Sequence, residues 1–360
     1  MFFVNNVKYK NPYKIVFLCG SFYQENKSDK RLILKNFLKE KLSDCYPIIL
    51  EENFFFKTNN VQYLAYDDII LKDLHVIEDL TAAYADKIFV IHESLSTAAE
   101  FGMFVTNEQI NKKLCLIEAD SESINNSKKS TFMDLAFFNK NSNNVSKKIK
   151  YYPDVMLYKR SVEEIEYRVF FHDNTIGEYL GKEILKFVNI EEKQKIIKIK
   201  RNKFKKIQQN DDIEYFIDAK KKELSIYVST EILKFHILAL MLCNSTIRKS
   251  CRETRKIYEH ANILGEEYIG TLFNTIITLA GKSIAEYKPK VFVKNSLNKL
   301  NSCIGYWLYL LQAMKLIMLE APNKAIPSER KIVYSTELLD QETFFQKFIG
   351  DISAYGGIGV

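Results

Sequence analysis

The first third of the chain alternates short apolar runs with segments of helical periodicity. Four short apolar runs predict buried strands, at residues 14–19, 46–50, 88–91 and 113–117. Apolar positions spaced three and four residues apart predict helices, at residues 29–42, 67–85 and 97–105. A further short run at 149–152 predicts an edge strand. This alternation favours an α/β fold in which helices cover both faces of a parallel sheet.

The rest of the chain has longer apolar stretches with helical spacing. They lie at residues 232–243, 268–279 and 307–319. They predict a mainly helical second domain. We place the boundary near Arg160, so residues 1–160 form the predicted sheet domain and residues 161–360 the predicted helical domain.

Composition narrows the class of protein. Of 360 residues, 47% are hydrophobic and 27% charged, which is typical of a soluble globular chain. The net charge of +7 is compatible with a nucleic-acid partner without requiring one. The longest apolar stretches are shorter than the roughly 20 residues that cross a bilayer, and no signal peptide is apparent, so we expect a cytoplasmic protein without membrane contact.

The six cysteines show no metal-binding spacing. They form no CxxC pair and have no histidine at zinc-finger distance. We therefore expect buried thiols in a reducing compartment, and neither a metal nor a cofactor.

Residues 86–102 are the most informative segment of the chain. They read as a buried strand, a turn rich in hydroxyl groups and a helix, and a strand that leads into a helix N-terminus forms a pocket for a polar ligand. We expect Glu100 to point into this pocket and Glu78 to approach it from the preceding helix. Two carboxylates that converge beside a sugar are the minimum needed to cleave a glycosidic bond. Alternatively, Glu78 is a solvated helix residue.

The same segment has a second interpretation. Thr97 and Glu100 have the spacing of a capping box, in which Glu100 would bond to the backbone at the start of the helix. The hydroxyls of Ser94, Ser96 and Thr97 are candidate contacts to a sugar or a phosphate. Glu93 is either a ligand to ribose or a polar strand end.

Three separated motifs resemble a known family. They are Leu18-Cys19-Gly20-Ser21, Glu78 placed eight residues before Asp86, and Glu93-Ser94-Leu95-Ser96 followed by Glu100-Phe101-Gly102. In this order they resemble the nucleoside 2-deoxyribosyltransferase family, and more closely the deoxyribosyltransferase-like toxin effectors of bacterial retron anti-phage systems. The resemblance covers about the first 150 residues. The chain departs from it at Leu95-Ser96, where the family has Pro-Gly, which puts the choice of substrate in question.

The resemblance implies a flavodoxin-like or Rossmann-like sheet and a set of roles. Glu100 matches the carboxylate that attacks the anomeric carbon, and Glu78 matches an acid that assists proton transfer to the base. Gly20, Ser21 and Tyr23 match the turn that frames the nucleoside. The implied partners are a retron reverse transcriptase, its multicopy single-stranded DNA and a nucleotide-type substrate, with further copies of the chain in an oligomer.

Two basic clusters are candidates for nucleic-acid contact. Residues 193–206 hold eight Lys or Arg interleaved with Ile and Phe, and residues 246–255 hold four more. The candidate residues are Lys200, Arg201, Lys203, Lys205, Lys206, Arg248, Arg252 and Arg255. The second cluster is compatible with a helix-turn-helix module. The alternative for the first cluster is a solvated helix face whose aliphatic stems cover apolar surface.

The sequence therefore predicts an N-glycosidase or deoxyribosyltransferase-like effector that acts through Glu100. One alternative is an effector that hydrolyses NAD at its nicotinamide bond with the same carboxylate chemistry. A second alternative is a catalytically silent scaffold that binds nucleic acid.

Overall fold

The computed structural model describes residues 7–9, 13–20, 29–55, 74–119, 138, 147–151, 171–172, 175–189, 195–203, 212–294, 296–320 and 329–339. The strands are β1 Val7–Tyr9, β2 Lys14–Cys19, β3 Cys45–Ile48, β4 Lys87–His92, β5 Leu114–Ala119, β6 Lys147–Tyr151, β7 Phe171–His172, β8 Thr175–Ile176, β9 Lys195–Ile197, β10 Ile199–Arg201, β11 Ile213–Asp218, β12 Glu223–Val228, β13 Arg255–Lys256, β14 Lys288–Val293, β15 Ile317–Glu320 and β16 Glu329–Tyr334. The α-helices are α1 Lys30–Lys41, α2 Leu74–Tyr84, α3 Leu95–Val105, α4 Glu108–Asn111, α5 Glu178–Val188, α6 Thr230–Cys243, α7 Ser245–Cys251, α8 Ile257–Ala280, α9 Leu300–Ala313 and α10 Thr336–Leu339. A π-helical turn spans Glu51–Phe55 and a 3₁₀ turn spans Lys282–Ile284.

The chain forms two compact units, a sheet unit and a mixed unit. The sheet unit comprises Tyr13–Phe56 and Ala85–Glu191. The mixed unit comprises Met1–Pro12, Lys57–Tyr84 and Glu192–Val360. Each unit therefore contains segments that are distant in the sequence.

The sheet unit is built on five parallel strands in the order β3-β2-β4-β5-β6. This confirms the predicted α/β fold with a parallel sheet. Numbered by their appearance within the sheet, the strands run 2-1-3-4-5, the order of doubly wound flavodoxin-like sheets. In such a sheet the strand order reverses between the neighbouring strands β2 and β4, because the chain adds β3 on one side of β2 and then continues on the other side with β4. Ligands bind outside the carboxyl ends of the strands at that point.

Helices cover both faces of this sheet because successive strand residues point to opposite sides. Val16 and Leu18 of β2 lie in one buried core with Leu34 of α1 and Phe187 of α5. On the other face, Phe17 meets Phe104 of α3 edge to face, with ring centroids 6.0 Å apart. Strands buried on both faces need near-continuous apolar runs, which is why the sequence pattern located them.

Helix α5 extends the sheet unit beyond the predicted domain boundary. Leu180, Ile184 and Phe187 are buried in the core of the sheet unit, so the unit continues to Glu191. The boundary predicted near Arg160 lies outside the described residues and differs from the division into compact units. The helical periodicity after residue 161 indicated a second domain. The first described helix of that region, α5, instead packs in the core of the sheet unit.

The described residues of the mixed unit contain three sheets besides its helices. Four strands pair in the order β10-β11-β12-β14, three more pair in the order β13-β16-β15, and β1 pairs with β9. The expectation of a mainly helical second domain was therefore incomplete. These strands are short, and several alternate charged with apolar residues, so no long apolar run marks them in the sequence.

Helix α2 belongs to the mixed unit although it precedes β4 in the chain. The Tyr84 ring stacks on Trp307 of α9 with centroids 5.6 Å apart and planes 7° apart. The Tyr84 hydroxyl donates to the carbonyl of Cys303 at 2.9 Å, and the Thr81 hydroxyl bonds to that of Tyr306. Buried aromatic contacts with satisfied hydroxyls fix the helix on α9.

Among the described helices, none has the length and apolar character needed to cross a membrane. All six cysteines lie in described segments and none forms a disulfide. Cys243 is half-buried and the other five are buried, so the expectation of buried thiols is confirmed for five of the six.

Candidate active site

Several candidate site residues lie at the carboxyl ends of the parallel strands. Gly20 follows β2, Glu93 and Ser94 follow β4, and Tyr151 ends β6. Because parallel strands all end at one edge, these groups share the edge at which open sheets bind ligands. The predicted residues Ser21 and Tyr23 lie outside the described residues.

Helix α3 begins two residues earlier than its periodicity predicts, and Ser94 is its cap. The Ser94 side chain accepts from the Thr97 amide, and the Thr97 hydroxyl accepts from the amides of Glu93 and Ser94. The start of the helix is thus closed by Ser94 and Thr97. The alternative in which Glu100 forms the capping box with Thr97 is wrong, because Leu95 and Ser96 already belong to the helix.

This cap places Glu100 in the second turn of α3, where its side chain is half-buried and its Oε2 atom is buried. The Thr97 side chain is fully buried, and its hydroxyl also donates to the Ser94 carbonyl at 2.8 Å. Ser96 is exposed, and its hydroxyl lies 2.8 Å from that of Ser94. Of the three predicted hydroxyl contacts, Ser96 is therefore the one most open to solvent.

Glu93 forms a charged cluster with two residues that sequence reasoning missed. Its carboxylate accepts from the Lys30 ammonium at 2.5 Å, and its side chain is 27% exposed. Burial raises the pKa of Tyr151, and the nearby negative charge of Glu93, which accepts a hydrogen bond from the tyrosine, raises it further. The Lys30 nitrogen lies 5.6 Å from the centre of the Tyr151 ring. Glu93, Lys30 and Tyr151 thus present a carboxylate, an ammonium and a neutral phenol at one place.

No local motif could have revealed that cluster. Lys30 is the first residue of α1 and Tyr151 the last residue of β6, so only the order of the strands brings them to Glu93.

Gly20 has a packing role beside this cluster. A Cβ atom at this position would lie 2.7 Å from Cδ of Arg31 and 2.8 Å from its Cγ. The Arg31 side chain is 3% exposed and pairs with Asp29 at 3.0 Å and Glu51 at 2.9 Å. Burial lowers the pKa of Arg31, but its hydrogen bonds to Asp29 and Glu51 outweigh this and raise the pKa above its ordinary value. The missing side chain of Gly20 leaves room for the stem of a buried arginine.

Asp86 holds the two central strands together rather than facing a ligand. Its Oδ2 atom accepts from the Ile15 amide at 2.8 Å, and its own amide donates to the Ile15 carbonyl at 2.8 Å. Asp86 therefore has a structural role, immediately before the start of β4.

Glu78 lies on α2, in the mixed unit, and is half-buried. Glu100 lies in the sheet unit, so the two predicted carboxylates belong to different compact units. On the same helix as Glu78, burial raises the pKa of Asp79, and a nearby charge on His75 partly offsets this. That second acid was not predicted, because its spacing matches no motif.

The first basic cluster forms strands rather than the helix face considered above. Ile197 and Ile199 are buried in β9 and β10, whereas Lys200, Arg201 and Lys203 are exposed. Lys200 pairs with Asp212 at 2.5 Å. Strand geometry explains the alternation of Ile with Lys, because successive residues point to opposite faces. Lys205 and Lys206 lie outside the described residues.

The second basic cluster does not form a helix-turn-helix module with α6 and α7. A single residue, Asn244, joins these helices and caps both, whereas that module needs a turn of three or four residues. Arg248 donates to the Leu242 carbonyl near the end of α6, which is a structural contact. Arg255 pairs with Glu253 and begins β13, and Arg252 is exposed.

Comparison of the sequence with known proteins identifies the family of this chain. A sequence model of the STM3845 retron effector protein family matches residues 27–319, which is most of the chain. The chain belongs to this family of retron effectors. It is also similar to the Escherichia coli protein named "Retron Ec73 putative ribosyltransferase/DNA-binding protein", with 34% identity over 120 residues. That match covers 32% of this chain and 36% of the relative.

The described residues of this retron effector offer no group of three or more His, Cys, Asp or Glu that could hold a metal ion. At the carboxyl ends of its strands, the Glu93 carboxylate, the Lys30 ammonium and the Tyr151 phenol lie together and can bind hydroxyls and phosphates and move protons. The Glu100 carboxylate lies separately, in the second turn of α3, and a carboxylate can stabilise positive charge.

Proposed function

We propose that this retron effector cleaves the N-glycosidic bond of a nucleotide-type substrate, with Glu100 as the carboxylate that acts at C1′ of the sugar. The observation that carries the proposal is the cap of α3. Ser94 and Thr97 form the cap of this helix, so the cap does not require Glu100, which lies one turn further along the helix that follows the strand at the switch point.

The chemistry requires a carboxylate for a physical reason. As the bond between C1′ and the base nitrogen breaks, its electron pair leaves with the base and positive charge develops on the sugar. Glu100 stabilises this charge or captures C1′ as a glycosyl ester. The base nitrogen takes up a proton from an acid. Water then attacks C1′ and gives its proton to that acid, which releases the sugar, regenerates the carboxylate and restores the acid.

The proposal gives other residues supporting roles. Glu93 and Ser96 contact sugar hydroxyls or phosphate, and Gly20, Ser21 and Tyr23 frame the nucleoside. Glu78 supplies the proton to the leaving base. The role of Glu78 rests on the family resemblance, since its helix belongs to the mixed unit.

The proposed partners follow from the retron context. We infer that the effector associates with a retron reverse transcriptase and its multicopy single-stranded DNA, which restrain it, and that the chain assembles as an oligomer. The E. coli relative, named as a ribosyltransferase and a DNA-binding protein, supports both a glycosyl-transfer reaction and a nucleic-acid partner.

The test is release of free base by purified protein. Wild type and Glu100→Gln are incubated separately with deoxynucleotides and with NAD, and the liberated base is quantified by chromatography. We expect Glu100→Gln to lower the rate at least about 100-fold, because glutamine cannot stabilise the developing charge or form the ester. Glu108→Gln is the matched control, since that carboxylate is 54% exposed and pairs only with Lys112 among described residues.

The substrate arms distinguish the alternatives. Release of nicotinamide from NAD, with deoxynucleotides left intact, identifies the NAD-hydrolysing effector. If Glu100→Gln retains both wild-type base release and wild-type toxicity in cells, Glu100 is not the catalytic carboxylate and the proposal fails. A chain that releases no base but binds retron DNA is the silent scaffold.

A further inference from the structure

Strand β14 presents an unusual set of side chains to solvent. Lys288, Lys290 and Phe292 alternate along it and are exposed, whereas Val293 is buried. These three side chains share one face of the strand because side chains alternate with a period of two residues. The opposite face of the sheet is apolar, with Leu224 and Ile226 of β12 fully buried.

An aromatic pair lies on the exposed face. Phe292 is paired in register with Tyr227 of β12. Their rings stack with centroids 5.2 Å apart and planes 21° apart. Tyr227 is 7% exposed while Phe292 is 44% exposed. One side of the Phe292 ring is therefore supported by Tyr227, and the edge of the sheet leaves much of the side chain in water.

Lysines lie at the other end of this strand pair, where Lys288 is in register with Glu223, four residues or roughly 13 Å along β14 from Phe292. The hairpin between β11 and β12 carries exposed Lys220, Lys221 and Lys222, and the amide of Lys288 donates to the Lys222 carbonyl at 2.9 Å. Lys290 pairs with Glu223 at 2.6 Å, and Lys222 pairs with Glu286 at 3.5 Å.

The hairpin has a lysine, Lys222, at a backbone position where glycine would be less strained. Lys222 has a φ of 48°, in the left-handed region that favours glycine.

Edge protection is the rival explanation for part of this arrangement. β14 is an edge strand of its sheet, and Lys-Pro-Lys at an edge prevents pairing with other chains. That role does not account for an exposed phenylalanine two residues further on, or for three lysines in the neighbouring hairpin. An exposed aromatic ring at one end of a strand, in line with ammonium groups towards its other end, suits single-stranded nucleic acid, because a base can stack on the ring while the phosphates of neighbouring nucleotides meet the lysines.

We propose that the exposed face of β14, with Phe292 backed by Tyr227 of β12, and the β11–β12 hairpin at the other end of the strand form a binding site for single-stranded nucleic acid. A base stacks on Phe292, which Tyr227 supports from behind. Lys220, Lys221 and Lys288 contact the phosphates. The site is distinct from the basic residues selected on the sequence, and it does not depend on the glycosidic activity of Glu100.

The experiment measures binding of the full chain by fluorescence anisotropy. The probes are a labelled single-stranded oligothymidylate and a blunt duplex of the same length, each titrated over a series of salt concentrations. We expect preference for the single strand. Phe292→Leu weakens single-strand binding about 5- to 100-fold because base stacking on the ring is abolished, whereas Phe292→Trp retains it.

The lysine variants test the phosphate contacts. Lys220→Gln with Lys221→Gln lowers the slope of log affinity against log salt by about 0.7 for each phosphate that no longer has an ammonium partner. The matched control is Lys182→Gln with Lys186→Gln on α5, whose side chains are 63% and 75% exposed. That control changes overall charge equally and leaves the slope near wild type.

Several results would overturn this site. The first is that Phe292→Leu, Phe292→Trp and wild type bind the single strand with equal affinity. The second is that the protein prefers the duplex. The third is that the affinity falls as much in the α5 control as in the hairpin variant. Binding to phosphatidylserine vesicles without binding to the oligonucleotide would also reject it in favour of a membrane surface. Thermal unfolding of each variant separates impaired binding from impaired folding.

Discussion

At the scale of single residues, the edge of the parallel sheet is organised by charges that are paired across the fold. Arg31 forms ion pairs with both Asp29 and Glu51, and Lys30 forms an ion pair with Glu93. A buried charge left without its partner is costly, so each member constrains the position of the others. The polar edge is thus held in a fixed geometry before any substrate arrives.

Gly20 gives a residue-level prediction. We expect Gly20→Ala to lower the free energy of unfolding by about 1–3 kcal/mol, because its new Cβ would approach the Arg31 stem to 2.7 Å. Arg31 cannot easily withdraw, since both ends of its guanidinium are engaged by carboxylates. Urea denaturation of wild type and variant measures the change.

A double-mutant cycle identifies the cause. In an Arg31→Ala background the steric conflict is absent, so Gly20→Ala should then change the free energy of unfolding by less than about 0.5 kcal/mol. An equal reduction in both backgrounds would mean that the cost arises from the backbone at Gly20 and not from contact with Arg31.

At the scale of elements, the start of α3 decides how the proposed carboxylate is presented. Ser94 caps the helix, and its hydroxyl meets that of Ser96. Ser94→Ala should lower the free energy of unfolding by about 1 kcal/mol, because the variant lacks the N-cap hydrogen bond. Ser96→Ala is the matched control and should change it by less than about 0.5 kcal/mol, since Ser96 is an exposed residue. Thermal and urea unfolding measure both, and similar destabilisation of the two variants would contradict the assignment of the cap.

The sequence located most elements of the sheet unit and failed elsewhere for identifiable reasons. The run at 14–19 coincides with β2, and the other predicted strands lie within a few residues of β3, β4, β5 and β6. Their strong signal comes from burial on both faces. The start of α3 was displaced because Thr97 and Glu100 imitate a capping box that Ser94 in fact forms with Thr97. The strands β9 and β10 were hidden because charge dominates residues 193–206.

At the scale of the whole molecule, each compact unit is assembled from distant parts of the chain. Helix α2 joins the mixed unit through Tyr84 and Thr81, although it lies between strands of the sheet unit. The sequence could not reveal this, because a helix with one apolar face can pack in either unit. The pairing of Lys30 with Glu93 and the stacking of Tyr84 on Trp307 depend on tertiary structure in the same way.

The mixed unit contains a buried histidine that makes its stability dependent on pH. His236 is completely buried in α6, and its ring lies 3.1 Å from the Tyr268 hydroxyl. Burial lowers the pKa of His236 to about 3 from its ordinary 6.5. Between these values the unfolded chain binds one proton more than the folded chain, so stability increases with pH in that range.

We therefore expect the mixed unit to be fully stabilised above about pH 6.5 and to lose roughly 4 kcal/mol as the pH falls towards 3. The chain has one tryptophan, Trp307, which is buried in this unit, so its fluorescence reports the unfolding of that unit. In His236→Gln the glutamine provides a polar partner for Tyr268 but does not titrate in this range. The urea concentration at the midpoint of the fluorescence transition should therefore depend less on pH in the variant than in wild type. If the variant retains the wild-type slope, another group controls the acid sensitivity, and the pKa of His236 does not differ between the folded and unfolded states.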